Sequence, residues 1–191
     1  PYQRVNTPTD YDTAGFPHYL KFNGTNTTYT TPSIDFSGTD KMTMWAGVTK
    51  LSDAAAALLL ESSANWNLNN GAFLVGAPGS PGNFEFGSEG TTQVVIYRSG
   101  FQAPINAILS MSANIGGPSF VSRINGVSSL VSTSSQGTGN YGNYPLYIGA
   151  RNNTSLFFSG RIYSLIVRGA ATSLPQIEAT ENLISKTMRL P

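Results

Sequence analysis

The sequence predicts an all-β protein, an antiparallel sandwich of short strands closed by one short C-terminal helix. Three observations predict it. Short segments alternate apolar and polar residues, with turn residues between them at regular spacing, as strands with one buried face do. Asn-Gly occurs at 23–24, 70–71 and 125–126, and this dipeptide is the strongest short hairpin signal because a type I′ turn needs positive φ at both central residues. The 191 residues, 40% of them apolar, are enough for one domain with a core.

The elements follow in order. Residues 1–17 hold three prolines and many polar residues, which predicts an extended arm or linker ahead of a domain spanning 18–191. His18 to Phe22 alternates and reads as the first strand, with Asn23-Gly24 as its turn. Lys41 to Val48 alternates with Met42, Met44 and Ala46 on one face. Ala54 to Leu60 is ambiguous, because its Ala and Leu residues favour helix by propensity. Phe73 to Val75, Asn83 to Phe86, Val94 to Tyr97, Ala107 to Met111, Ser119 to Ile124, Ser128 to Val131 and Leu146 to Ile148 read as further short strands, followed by a strand pair around Ser159-Gly160. Ser173 can cap a short helix with Pro175 in its first turn, and Ile177 and Ile184 would form its apolar face.

Composition excludes several classes of function. Charged residues are only 11% and the net charge is +1, so there is no electrostatic footprint for nucleic acid. Ser, Thr, Asn and Gly replace the charges, a surface suited to neutral polar partners such as sugars or other protein copies. The absence of cysteine excludes disulfides and thiolate metal sites. No apolar run is long enough for a membrane-spanning helix. The chain opens on Pro1 without a visible signal peptide, as expected of a piece of a longer protein.

The stretch 137–170, GTGNYGNYPLYIGARNNTSLFFSGRIYSLIVRGA, carries the clearest pattern. Together with Tyr19 to Gly24, Thr31-Pro32, Ile34 to Phe36, Met42 to Val48, Gly149, Phe158, Gly160 and the helix after Ser173, it resembles the laminin-G-like domains of the concanavalin A-like superfamily. The resemblance covers His18 to Ile184 and implies a two-sheet antiparallel jelly-roll sandwich, with a strand over Ala54 to Leu60. The opening YDTAGFPHYLKFNG and the closing stretch also resemble uncharacterised structural proteins of tailed bacteriophages and prophages. That implies a virion or extracellular location. Calcium-binding laminin-G-like domains use an acidic residue where this chain has SANWNLNN over 63–70. Neutral amides hold a hard cation less tightly than carboxylates, so no cofactor is expected and calcium is disfavoured.

Catalysis finds little support. The lone histidine, His18, reads as a half-buried strand residue, and no G-x-S-x-G elbow supplies a nucleophile. Glu85 and Glu89 in FEFGSEG would share a strand face, with Cα atoms about 13 Å apart. Glycosidases hold their carboxyls about 5–10 Å apart. Laminarinase-like enzymes of the resembled superfamily use E-x-D-x-E, and Gly87 replaces the central carboxylate. A solvated strand end is the simpler reading.

Binding fares better. A sugar site wants an aromatic face for C–H groups and planar polar partners for hydroxyls. Two loops have that composition, on which function tends to sit. One carries Asn65, Trp66, Asn67 and Asn69, with Asn70 beside them, and the other carries Asn140, Tyr141, Asn143 and Tyr144, followed by Arg151 and Asn152. Each aromatic could instead pack beneath its loop. The expected function is a non-enzymatic recognition module for host-surface glycan. The rival is a capsid-decoration or tail-assembly domain, its loops packed on neighbouring virion subunits or further copies of this chain. A glycoside hydrolase lacks its carboxylate set.

Overall fold

The computed structural model describes residues 18–188, so the expected arm over 1–17 lies outside the described residues. Strands are numbered in chain order. The first six-stranded sheet runs β1 (Leu20–Asn23), β14 (Ser159–Arg168), β4 (Lys41–Lys50), β9 (Ile105–Asn114), β10 (Ser119–Ile124) and β11 (Val127–Ser132). The second runs β2 (Tyr29–Thr30), β13 (Leu146–Ile148), β5 (Leu58–Ser62), β6 (Phe73–Gly76), β7 (Asn83–Glu89) and β8 (Gln93–Ser99). A small third sheet pairs β12 (Asn143–Tyr144) with β3 (Ile34–Asp35). Neighbouring strands within the sheets are antiparallel, and the two large sheets face each other as a jelly-roll sandwich.

The period of two builds the core. Met42, Met44, Ala46 and Val48 of β4 point inward with Leu109 and Met111 of β9. They meet Phe73 and Val75 of β6, Phe84 and Phe86 of β7, and Val94 and Ile96 of β8. Phe22 and Phe158 close one end, ring centroids 5.7 Å apart. Buried Lys50 reaches Asp53 at 2.6 Å and lies over the Phe84 ring, so its charge stays paired.

The outer face of the first sheet is also covered. Helix α1 (Leu174–Met188) begins after Ser173, whose hydroxyl donates to Gln176 Oε1 at 3.0 Å. Ile177, Ile184 and Met188 bury against Trp45 and Ile108. Gly47 makes this approach possible, because a Cβ there would stand 2.5 Å from Ile184 Cγ2. Beside these apolar contacts, Arg123 Nε donates to Glu181 Oε1 at 2.9 Å and Ser110 Oγ to the same oxygen at 2.6 Å. The buried pair is therefore fully hydrogen-bonded on the carboxylate that faces the sheet.

Four local expectations change. Only Asn125-Gly126 forms the two-residue hairpin, with φ of 52° and 75° between β10 and β11. Asn23-Gly24 instead turns the chain out of β1, which pairs with β14, while Asn23 Oδ1 accepts from the backbone N–H groups of Thr25, Asn26 and Thr27. Asn70-Gly71 closes a longer loop between β5 and β6. The strand expected from Ala54 starts at Leu58, since Ala54 to Ala56 are exposed and have no face to bury. Around Ser159-Gly160 there is one continuous strand rather than a pair, with a bulge between Ile162 and Ser164. His18 is exposed and precedes β1 instead of lying half-buried within it.

Candidate functional site

The outer face of the second sheet is built by the same alternation that fills the core. On β7 the inward residues are Phe84, Phe86 and Ser88, which leaves Glu85, Gly87 and Glu89 outward. On β8 Gln93, Val95 and Tyr97 point out, opposite Glu89, Gly87 and Glu85 in register. Leu74 of β6 pairs with Gly87 on one side and with Glu61 of β5 on the other. The strip across the sheet is thus polar at both ends and apolar in the middle.

The loop from 63 to 72 folds over that middle. A 3-10 turn, Trp66–Leu68, is capped by the Asn65 side chain, which accepts from Asn67 N–H at 3.2 Å. Asn69 Nδ2 donates to Asn65 O at 2.7 Å. Trp66 N–H donates to Glu61 Oε1 at 3.1 Å, which draws the turn down onto the sheet. The indole lies over Gly87, where a Cβ would come within 2.7 Å of its Cη2. Leu58, Ala72 and Leu74 pack around it, and Trp66 is 4% exposed.

Arg151 enters from the opposite side. Asn152 and Asn153 both take positive φ, 48° and 59°, in a tight turn that Thr154 N–H closes onto Arg151 O at 2.9 Å. The Arg151 guanidinium grips the buried Glu61 carboxylate, Nε at 3.0 and 3.1 Å and Nη2 at 2.9 Å. Burial pushes the Glu61 carboxyl above the usual carboxylate range, more than Arg151 and the Trp66 N–H pull it down.

Between Trp66, Arg151 and β8 lies a groove of about 280 Å³, lined also by Asn67, Glu85, Gln93 and Tyr97. Glu85 is half-buried, with its carboxylate over Gly76 and Gly79, and either position would crowd it if it carried a side chain. Burial pushes this carboxyl up, Arg151 opposes, and the nearby Glu61 adds to the rise. The Tyr97 hydroxyl donates to it, and burial with the Glu85 charge pushes the phenol up, so it stays a donor. Tyr97 is 55% exposed, with its ring open to the groove. Gln93 Nε2 reaches toward Asn67 Oδ1 and Glu89 Oε2, 3.4 Å from each. Glu85 and Glu89 are therefore not a solvated strand end: Glu85 is half-buried, Glu89 is buried, and burial raises both carboxyls.

Of the residues the sequence proposed, the groove gathers Trp66, Asn67 and Arg151. Asn65 and Asn69 stay in the turn beside it, tied to its backbone. The second loop goes elsewhere. Tyr141 is 1% exposed inside the core, its hydroxyl 2.7 Å from Ser88 Oγ and its ring edge-on to Phe73. No ligand on the surface reaches that ring. Asn140 donates to Ser37 O at 2.7 Å, Asn143 pairs with Asp35, and the Tyr144 hydroxyl donates to Asn70 O at 2.9 Å. Asn152 serves the Arg151 turn. Glu85, Gln93 and Tyr97 line the groove and were not among the binding candidates, although the outward register of FEFGSE and QVVIYR carries them.

A larger hollow, about 550 Å³, lies between α1 and the β9–β10 edge. Its charged groups, Arg123, Glu178 and Glu181, already bond one another. Among the described residues no group of three or more His, Asp or Glu stands together as a metal site.

No family model matches the chain, and no curated protein matches it either. Solved structures do. The chain is similar to the CBM40 module of the Ruminococcus gnavus IT-sialidase bound to α2,3-sialyllactose, with TM-score 0.60 and 12% identity over 80% of this chain and 98% of that one. It is similar to a heptameric SAP-like pentraxin from Limulus polyphemus, TM-score 0.63 and 14% identity over 85% and 81%. Domains LG4-5 of the mouse laminin α1 chain give TM-score 0.61 and 13% identity over 83% of this chain and 45% of that one. Identities this low speak for the fold alone, and the fold is the laminin-G-like, concanavalin A-like jelly roll.

Proposed function

We propose that this chain is a non-enzymatic recognition module, carried on a virion or another extracellular surface, that binds host-surface carbohydrate in the groove over β5 to β8. One observation carries the reading: an open tyrosine ring and the edge of a buried tryptophan share a groove with a guanidinium, a carboxylate and two amides. The ring offers a bed for sugar C–H groups, and the planar polar groups offer fixed partners for hydroxyls. The similarity to a module bound to sialyllactose supports the choice of carbohydrate. Resemblance of YDTAGFPHYLKFNG and the closing stretch to phage structural proteins supports the virion setting. Against catalysis, both oxygens of Glu61 are engaged by Arg151, so that carboxylate is held in an ion pair instead of standing free as the second carboxyl a glycosidase needs.

A glycan array with the purified protein tests the reading, with Tyr97→Ala as the variant. Trp66→Ala would open a cavity, and Tyr141→Ala would strike the core, so neither reports on binding cleanly. Wild type is expected to bind saccharide, and the variant to lose about tenfold in affinity while melting as wild type does. A blank array from folded protein would overturn the reading in favour of an assembly domain packed on virion subunits or further copies of the chain.

A further inference from the structure

We infer that the groove selects saccharides free of anionic groups, and that Glu85 is the residue that accepts hydrogen bonds from their hydroxyl or amine groups and turns carboxylated, sulfated or phosphorylated sugars away. The inference rests on the carbohydrate reading above and names the ligand class for that same site.

The charge inventory points this way. Among the described residues, Arg151 is the one cation lining the groove. Its Nε and Nη2 are already turned to Glu61, which lies wholly buried beneath it. The Glu61 carboxylate thus cancels the charge that an acidic sugar would need. What remains is Glu85 on the groove wall and Glu89 behind Gln93, both acceptors when ionised. Arg98, the cation on neighbouring β8, faces the interior and donates to Ser122 O at 3.2 Å. The groove therefore holds one carboxylate on its wall and a second behind Gln93, while Glu61 balances its one guanidinium. An anionic sugar would be desolvated against like charge, a device proteins use to refuse wrong partners. A hydroxyl meets the opposite situation. Glu85 is held in place by the Tyr97 hydroxyl in a niche that the glycines at 76 and 79 keep open, so it is pre-set as an acceptor. Nη1 of Arg151, which Glu61 does not engage, can donate to a ring or hydroxyl oxygen without a net charge in play.

The test uses matched sugars at about pH 8, on the alkaline side that favours the carboxylate form. Neutral oligosaccharides are printed beside their sialylated, sulfated and uronic-acid counterparts, and wild type is compared with Glu85→Gln. Neutral sugars are expected to bind at least about tenfold tighter than their acidic counterparts, and Glu85→Gln to narrow that ratio. Added salt should leave neutral-sugar affinity nearly flat. Equal or tighter binding of acidic sugars would overturn the inference while leaving the carbohydrate reading intact. An unchanged ratio in folded Glu85→Gln would remove Glu85 from its role. No binding of any saccharide would overturn both.

Discussion

The two outer faces of this sandwich begin alike and finish differently. Each sheet turns bulky apolar residues outward at its centre, Trp45 and Ile108 on one and Leu58 and Leu74 on the other. On the first sheet a helix covers them, and its carboxylate Glu181 is paired to Arg123 underneath. On the second, a single indole covers them, and carboxylates remain on either side. A helix seals a face, whereas one tryptophan on a short turn leaves room for a ligand beside it. The groove exists because the cover is small.

The comparison can be broken most forcefully on the sealed side. Glu181→Ala leaves the buried Arg123 with only the half-exposed Glu178 as a counter-charge, and should destabilise by about 3 kcal/mol in urea unfolding. On the open side the corresponding blow is Gly87→Val, which pushes the indole off its bed. The loss should be smaller, about 2 kcal/mol, because the loop can lift toward solvent. A red-shifted tryptophan emission would mark the displaced ring, and an unshifted spectrum would refute the packing role assigned to Gly87.

The smallest effect is in pH, and it belongs to the open face. Glu61, Glu85 and Glu89 are all pushed up by burial, so their folded-state pKa values lie above the unfolded ones. Such groups cost stability above the folded value and recover it as pH falls toward the ordinary glutamate value of about 4.3. The urea midpoint should therefore rise slightly on mild acidification from neutral. Further down the sign reverses, because the bond from Lys41 holds Asp40 below its ordinary range, and that stabilisation is lost as the carboxylate protonates. A midpoint that falls steadily from neutral pH would contradict this ordering.

The sequence disclosed the fold further than the site, for local reasons. Alternation in KMTMWAGV and in NFEF reports burial on one side of a strand, which survives any choice of partner. Asn125-Gly126 was legible because both residues must take positive φ in a two-residue hairpin. Asn23-Gly24 looked identical, but the Asn23 carboxamide accepts three backbone N–H groups and sends the chain away, while its strand pairs with β14 far along the chain. The site mixed the legible and the hidden. Composition marked Trp66, Asn67 and Arg151. It could not say that Tyr141 turns inward, since that depends on Ser88 offering its hydroxyl a partner inside the core. Nor could it show that Glu61, within an apolar LLLES strand, would spend the Arg151 charge.

The strand order has a consequence for how the molecule is made. β14 lies between β1 and β4, and α1 follows it onto the face of β4 and β9. The first sheet is thus completed by pieces that a ribosome delivers late, with Leu20 of β1 waiting for Ile162 of β14. Until then β4, with an apolar inner face and Trp45 on its outer one, has an open edge. A nascent chain paused before Ser159 would be at its stickiest there, and fragments cut short of β14 should aggregate rather than yield a smaller working domain.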